Sequence, residues 1–134
     1  MFYIDPEIRL KSLLKPGSVF LFVNEDFKAP SPDPHFHVVV NFNPLTEEVV
    51  LLVCATSQRD KRKAFVAGRG IPEETLVEVT PDDYDRLSTD TIFDCNTVYT
   101  RTLSELTEMY VSGELSIKPN LDENLLTKFG KEST

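Results

Sequence analysis

This sequence predicts a mainly β chain with helices appended near both ends, an α+β arrangement in a single domain over residues 1–134. Three observations point that way. The runs His35-Phe36-His37-Val38-Val39-Val40-Asn41 and Glu48 to Ser57 are rich in Val and Leu and too short for typical helices. The segment Phe42 to Glu47 between them contains Asn43 and Pro44, residue types that turns favour. Apolar residues at helical spacing mark helices near both ends of the chain.

The first element is a short helix over Asp5 to Lys15, with Asp5 as its cap and Pro6 at its first position. Ile8, Leu10, Leu13 and Leu14 supply its apolar side, and Lys15-Pro16-Gly17 turns the chain. Ser18 to Asn24 is apolar on both faces and predicts a covered strand. Glu25 to Pro34, with Pro30, Pro32 and Pro34, cannot pair regularly and reads as an extended loop. The two runs named above follow as paired strands. A basic stretch then extends to Gly70, with Gly68 and Gly70 lending backbone freedom, and its plain reading is a solvated loop.

Thr75-Leu76-Val77-Glu78-Val79 alternates with the period of a strand. Thr80, Pro81 and Asp83 carry the signature of a helix start, which predicts a short helix ending near Leu87. Thr91 to Cys95 and Thr97 to Thr100 read as two short strands or one bent strand. Thr102 with Glu105 forms a second capping box ahead of Leu103, Leu106, Met109 and Tyr110, and Gly113 closes that helix. Asn120 caps a last helix carrying Leu121, Leu125, Leu126 and Phe129.

Composition narrows the function classes. A net charge of −8 disfavours broad, nonspecific nucleic-acid binding, because phosphate repels an acidic surface. Five of the 14 basic residues nevertheless fall between Arg59 and Arg69, opposed only by Asp60. That segment reads as a local anion site or a docking patch for an acidic partner. No apolar run is long enough for a membrane span, and the N-terminus lacks a basic region leading into an apolar one. Cys54 and Cys95 make no disulfide framework, so reduced thiols in a cytoplasm are expected.

No Walker, nucleophile-elbow or glycine-rich phosphate motif occurs, and no cofactor is expected. The acidic pairs Glu73-Glu74 and Asp82-Asp83 read as solvated turn or helix-start residues. Cys54, among apolar neighbours, reads as a small buried hydrophobe. His35, His37, Cys54 and Cys95 are zinc-type ligands, but His-x-His without paired ligands at metal spacing is a weak signal.

The sharper chemical reading rests on spacing. His35 and His37, the chain's only histidines, lie two apart on a strand and share a face. Imidazoles serve as acid and base near neutral pH. Thr56 and Ser57 end the next strand and can donate to a phosphoryl oxygen. Arg59, Lys61 and Arg62 follow at once and can hold phosphate charge. The plain alternative is that these histidines and hydroxyls only finish their strands.

These residues also carry a family resemblance. Lys15 to Phe22, His35 to Asn41, Val49 to Ser57, and the later Val77-Glu78-Val79, Tyr84 and Asp90 to Asn96 resemble, in order, the elements of PemK/MazF-like toxins. The likeness spans roughly residues 15 to 110 as an order of elements. It implies an SH3-like, partly open antiparallel barrel and a cytoplasmic homodimer that cleaves single-stranded RNA without metal and is inhibited by an antitoxin protein. It also implies a Thr or Ser after the third strand, matched by Thr56 or Ser57, and an Arg near the second, where this chain has Pro32-Asp33-Pro34-His35-Phe36-His37. The alternative function is a non-catalytic SH3-like barrel that binds a protein partner.

Overall fold

A computed structural model describes residues 4–26, 33–41, 43–44, 49–56, 59–72 and 75–132, with the backbone alone described at Arg59 and at 130–132. The middle of the Pro-rich loop, Ser57, the reversal around residues 45–48 and the Glu73-Glu74 pair lie outside these residues. The elements are α1 (Pro6–Leu13), β1 (Val19–Phe22), β2 (His35–Val39), β3 (Val50–Thr56), α2 (Arg59–Gly68), β4 (Leu76–Val79), β5 (Thr91–Arg101), α3 (Leu103–Ser112), β6 (Ser116–Lys118) and α4 (Glu123–Glu132). The six strands form one antiparallel sheet in the order β4-β5-β3-β2-β1-β6. The sheet is open, with β4 and β6 at its edges.

Alternation along the strands assigns the side chains to two faces. One face gathers Val19, Val38, Val53, Ala55, Val77, Val79 and Phe93 under Leu121, Leu125 and Phe129 around α4. The opposite face is covered in two separate places. Leu10 and Leu14 from the α1 side and Leu106 from α3 pack on Phe20, Phe22, Val39 and Leu52. Val66 of α2, with Ile71 beside it, packs on Leu76 and Ile92 at the other end.

Local chemistry accounts for the element ends. Asp5 accepts a hydrogen bond from the Glu7 amide at 2.9 Å, and Pro6 occupies the first turn of α1. Of the four apolar residues expected to bury α1, Leu10 and Leu14 do so, whereas Ile8 is exposed. Thr102 and Glu105 close a reciprocal capping box on α3, and Gly113 ends it at φ 84°. The cap of α4 is Asp122, which accepts from the Leu125 amide at 2.8 Å, and not Asn120. Asp122 stands directly before the helix, where its carboxylate reaches the free amides.

Two further expectations are corrected, and one strand is added. Residues 59–68 are helical rather than an irregular loop; the charged composition concealed a helix that buries little beyond Val66. Thr80 and Asp83 make both capping contacts, yet the chain runs on through turns instead of a helix. Tyr84 and Leu87 are pulled into the core beneath α4, and the Tyr84 hydroxyl donates to the Pro119 carbonyl at 2.6 Å, which ties those turns down. Ser116–Lys118, too short and mixed to stand out, pairs with β1 as an edge strand. Thr91 to Arg101 is one strand; between Leu52 and Cys54 its register against β3 shifts from Tyr99 to Asp94.

Gly17 joins the two sides of the molecule. Its amide donates to Val39 and its carbonyl accepts from Leu121, at φ +88°. A Cβ there would stand 3.3 Å from Leu126, whereas at Gly113, also at positive φ, nothing lies within 4 Å. Both positions exact the left-handed strain of about 1–2 kcal/mol from an L side chain, and Gly17 adds crowding. In urea unfolding, Gly17→Ala is expected to lose more stability than Gly113→Ala; equal losses would show that α4 yields freely at this contact.

Candidate functional site

Between the two apolar covers, the sheet face carries a polar row. It begins at β2, where His37 pairs in register with Cys54 of β3, and Cys54 pairs in turn with Asp94 of β5. The β2–β3 ladder ends at that pair, and alternation puts His35 and Thr56, each two residues further along its own strand, on the same face. The predicted histidine pair and the Thr therefore do belong to one face of neighbouring strands. Ser57 lies outside the described residues.

His37 is wholly buried. Its ring stacks on Phe22 at 3.9 Å between centroids and meets Tyr99 edge-on at 6.4 Å. Its protonation follows from its neighbours. The Asn24 side-chain oxygen accepts from the Asp26 amide at 2.9 Å and from Arg101 Nη2 at 3.3 Å. That leaves the Asn24 amide nitrogen to donate to His37 Nε2 at 3.1 Å, so Nε2 carries a lone pair. The proton resides on Nδ1 and is donated to the His35 carbonyl at 2.9 Å. Burial pushes the His37 pKa down from 6.5 to about 3, with the nearby His35 and Arg101 adding to the drop. At pH 7 a proton on this ring would cost about 5 kcal/mol, by the conversion of 1.36 kcal/mol per unit. His37 is a neutral connector between β2 and the residues that follow β1.

Arg101, at the end of β5, is the residue that sequence reasoning missed. Its guanidinium lies 5.7 Å above the Phe22 ring and donates to Asp26 at 2.7 Å and to the Thr100 carbonyl at 2.7 Å. It is separated from Asn24 by 77 residues, and only the crossover that sets β5 beside β3 brings the two together. No local motif announces such a contact. Arg101 thus places a guanidinium close to the His37 end of the polar row.

At the other end of the row, Arg62 approaches Asp94 at 3.7 Å, and Lys63 pairs with Glu78. Lys61 is exposed on α2, and Arg59 begins that helix. The cations predicted to hold phosphate, Arg59, Lys61 and Arg62, therefore lie on a helix seated over β4 and β5, with Arg62 partnered by Asp94. Cys54 is buried, its thiol pushed up to about 12 by desolvation, so it stays protonated and is no nucleophile at neutral pH. Cys95 packs with the core of the opposite face, so the four zinc-type side chains do not converge. Among the described residues, no three His, Cys, Asp or Glu side chains gather as a metal site. None of the described helices is long and apolar enough to cross a membrane.

The state of His37 has a thermodynamic signature. The folded ring stays neutral down to about pH 3, while the unfolded ring takes a proton near 6.5. Its contribution is complete above pH 6.5 and is lost as pH falls toward 3. Asp83 and Glu105, held below the usual carboxylate range by the Thr80 and Thr102 amides, act at lower pH. Between pH 6 and 5 the His37 contribution to the unfolding free energy is expected to fall by about 1 kcal/mol in the native chain, a fall that is lost in His37→Gln. If His37→Gln does not fold, the ring ¹⁵N shifts of the native chain decide; a protonated Nε2 at pH 5 would contradict the assignment.

No protein-family model matches the chain, and no curated protein is detectably similar to it in sequence.

Proposed function

We propose that this chain is an endoribonuclease of the PemK/MazF-like toxin kind, cutting single-stranded RNA without a metal ion. On this reading its open sheet is a variant of the SH3-like, partly open barrel. What supports the proposal is strand alternation from the His37–Cys54 pair, which puts His35 and Thr56 on one face of neighbouring strands, with Thr56 ending the strand that precedes cationic α2.

Each group then has a role. His35 takes the proton of the 2′-hydroxyl, and the 2′-oxygen forms its bond to phosphorus. The bond from phosphorus to the 5′-oxygen breaks, and His35 returns the proton to the departing oxygen. The products are a 2′,3′-cyclic phosphate and a 5′-hydroxyl end. Thr56 donates to a phosphoryl oxygen, and Arg101 with Arg62 meets the charge that grows on the phosphorane. His37 does not touch substrate; it holds the β2 backbone and Asn24, and through Asn24 it orients Arg101. A second copy of the chain and an antitoxin protein are the partners this reading brings, in a cytoplasm.

A specific observation favours a second reading. His37 uses both ring nitrogens and Arg101 already meets Asp26, so much of the row is internally satisfied. A saturated row fits a non-catalytic module that binds a protein partner. Incubation with a long single-stranded RNA at low salt, with EDTA present, separates the two. The nuclease reading expects cleavage to 2′,3′-cyclic phosphate ends, reduced about 10²- to 10⁴-fold in His35→Ala and clearly reduced in Thr56→Val, with both variants folded. Intact RNA, or cleavage unchanged in both variants, would overturn it.

A further inference from the structure

The cations of α2 do not all point the same way. Arg62 and Lys63 turn toward the sheet and its carboxylates, flanking the buried Val66. Lys61, Phe65 and Arg69 are spaced four apart and share an outward flank of the helix and the turn that follows it. The Arg69 guanidinium lies 4.5 Å from the centre of the Phe65 ring. Phe65 is 48% exposed, the most exposed phenylalanine among the described residues.

Packing does not account for this ring. Val66 and Ile71 seat the helix on Leu76 and Ile92, and Phe65 takes no part in that cluster. A lone exposed apolar residue needs no explanation. An aromatic flanked by two outward cations, on the one strongly basic segment of a chain with net charge −8, is a different matter. Cations track phosphates and an aromatic face stacks a base of any identity, which is the chemistry of single-stranded nucleic-acid recognition. On the helix wheel, Arg62 falls between Phe65 and the buried Val66, so this flank borders the side from which Arg62 reaches Asp94.

We infer that Lys61, Phe65 and Arg69 form a binding platform for single-stranded RNA, on which one base stacks against Phe65 while the two cations hold the neighbouring phosphates. The inference rests on the reading of the chain as acting on RNA and adds where the strand lies outside the reacting row. Arg69 already covers part of the ring, so the base takes the remaining face or displaces the guanidinium toward a phosphate.

The test uses the full chain and a fluorescently labelled 2′-O-methyl oligoribonucleotide, which cannot be cleaved by 2′-hydroxyl attack. Polarisation at low salt is expected to show binding that weakens about 5- to 100-fold in Phe65→Ala, by the range known for base–aromatic stacking. Phe65→Leu, which keeps apolar bulk, is expected to weaken similarly, and Phe65→Trp to restore binding. Lys61→Ala is expected to flatten the salt dependence by about one phosphate contact. Wild-type affinity in Phe65→Ala, with its fold checked by circular dichroism, overturns the platform even if RNA cleavage is intact. Binding that depends on Phe65, without cleavage of ordinary RNA, supports the platform and overturns the nuclease. No binding by the native chain overturns the platform whatever the cleavage assay gives.

Discussion

β3 is the constraint on which the rest depends. It is paired on both sides, by β2 and by β5, so its register sets what can meet on either face. Alternation sends Val53 and Ala55 into the core under α4 and leaves Leu52, Cys54 and Thr56 on the other face. Leu52 belongs to the cover provided by α1 and α3. Two residues further, Cys54 lies beyond it, and two more bring Thr56 beside Ile92 under the influence of α2. A shift of the β2–β3 pairing by one residue would put His37 opposite an inward valine and exchange the faces of the whole strand. The polar row exists because two modest apolar covers leave the middle of one face to residues that satisfy one another.

Burying those polar groups demands that each hydrogen bond be made, since an unmet buried donor or acceptor costs about 1–3 kcal/mol. Asn24 meets the demand for three neighbours. Its side chain serves the Asp26 amide, Arg101 and His37 in a single arrangement of donors and acceptors. The amide orientation, the histidine tautomer and the position of the guanidinium follow from one another. This is why His37, which by spacing looks equal to His35, differs from it in kind. One imidazole is locked inside the sheet; the other stands two residues nearer the start of β2 and is only partly buried.

Much of the fold is legible in the sequence where local chemistry decides it. Asp5-Pro6, the Thr102 to Glu105 box and Gly113 mark helix ends whose contacts form as their residue types require. The Val-rich runs become β2 and β3. Legibility fails where distant partners decide. Among its described side chains α2 buries Val66 alone beside a run of charges, so its apolar spacing is nearly invisible, and it packs where β4 and β5 offer Leu76 and Ile92 beneath Val66. Thr80 to Leu87 has good capping chemistry, yet Tyr84 draws it into turns through a carbonyl 35 residues away. The candidate site divides similarly. His35, His37 and Thr56 are found by their spacing along adjacent strands. Arg101 enters the site through strand order alone, and how deeply each histidine is buried depends on residues that sequence spacing does not bring near it.

On the proposed reading, RNA meets the chain along the row from Asn24 and Arg101 through His35 and Thr56 to Arg62. Mapping NMR shift changes on the full chain during titration with a non-cleavable single-stranded RNA tests it most directly. The account predicts that the largest changes fall on the backbone and side-chain signals of those five residues and on α2. Changes concentrated on α4 and the opposite face, around Leu121, Leu125 and Phe129, would contradict it.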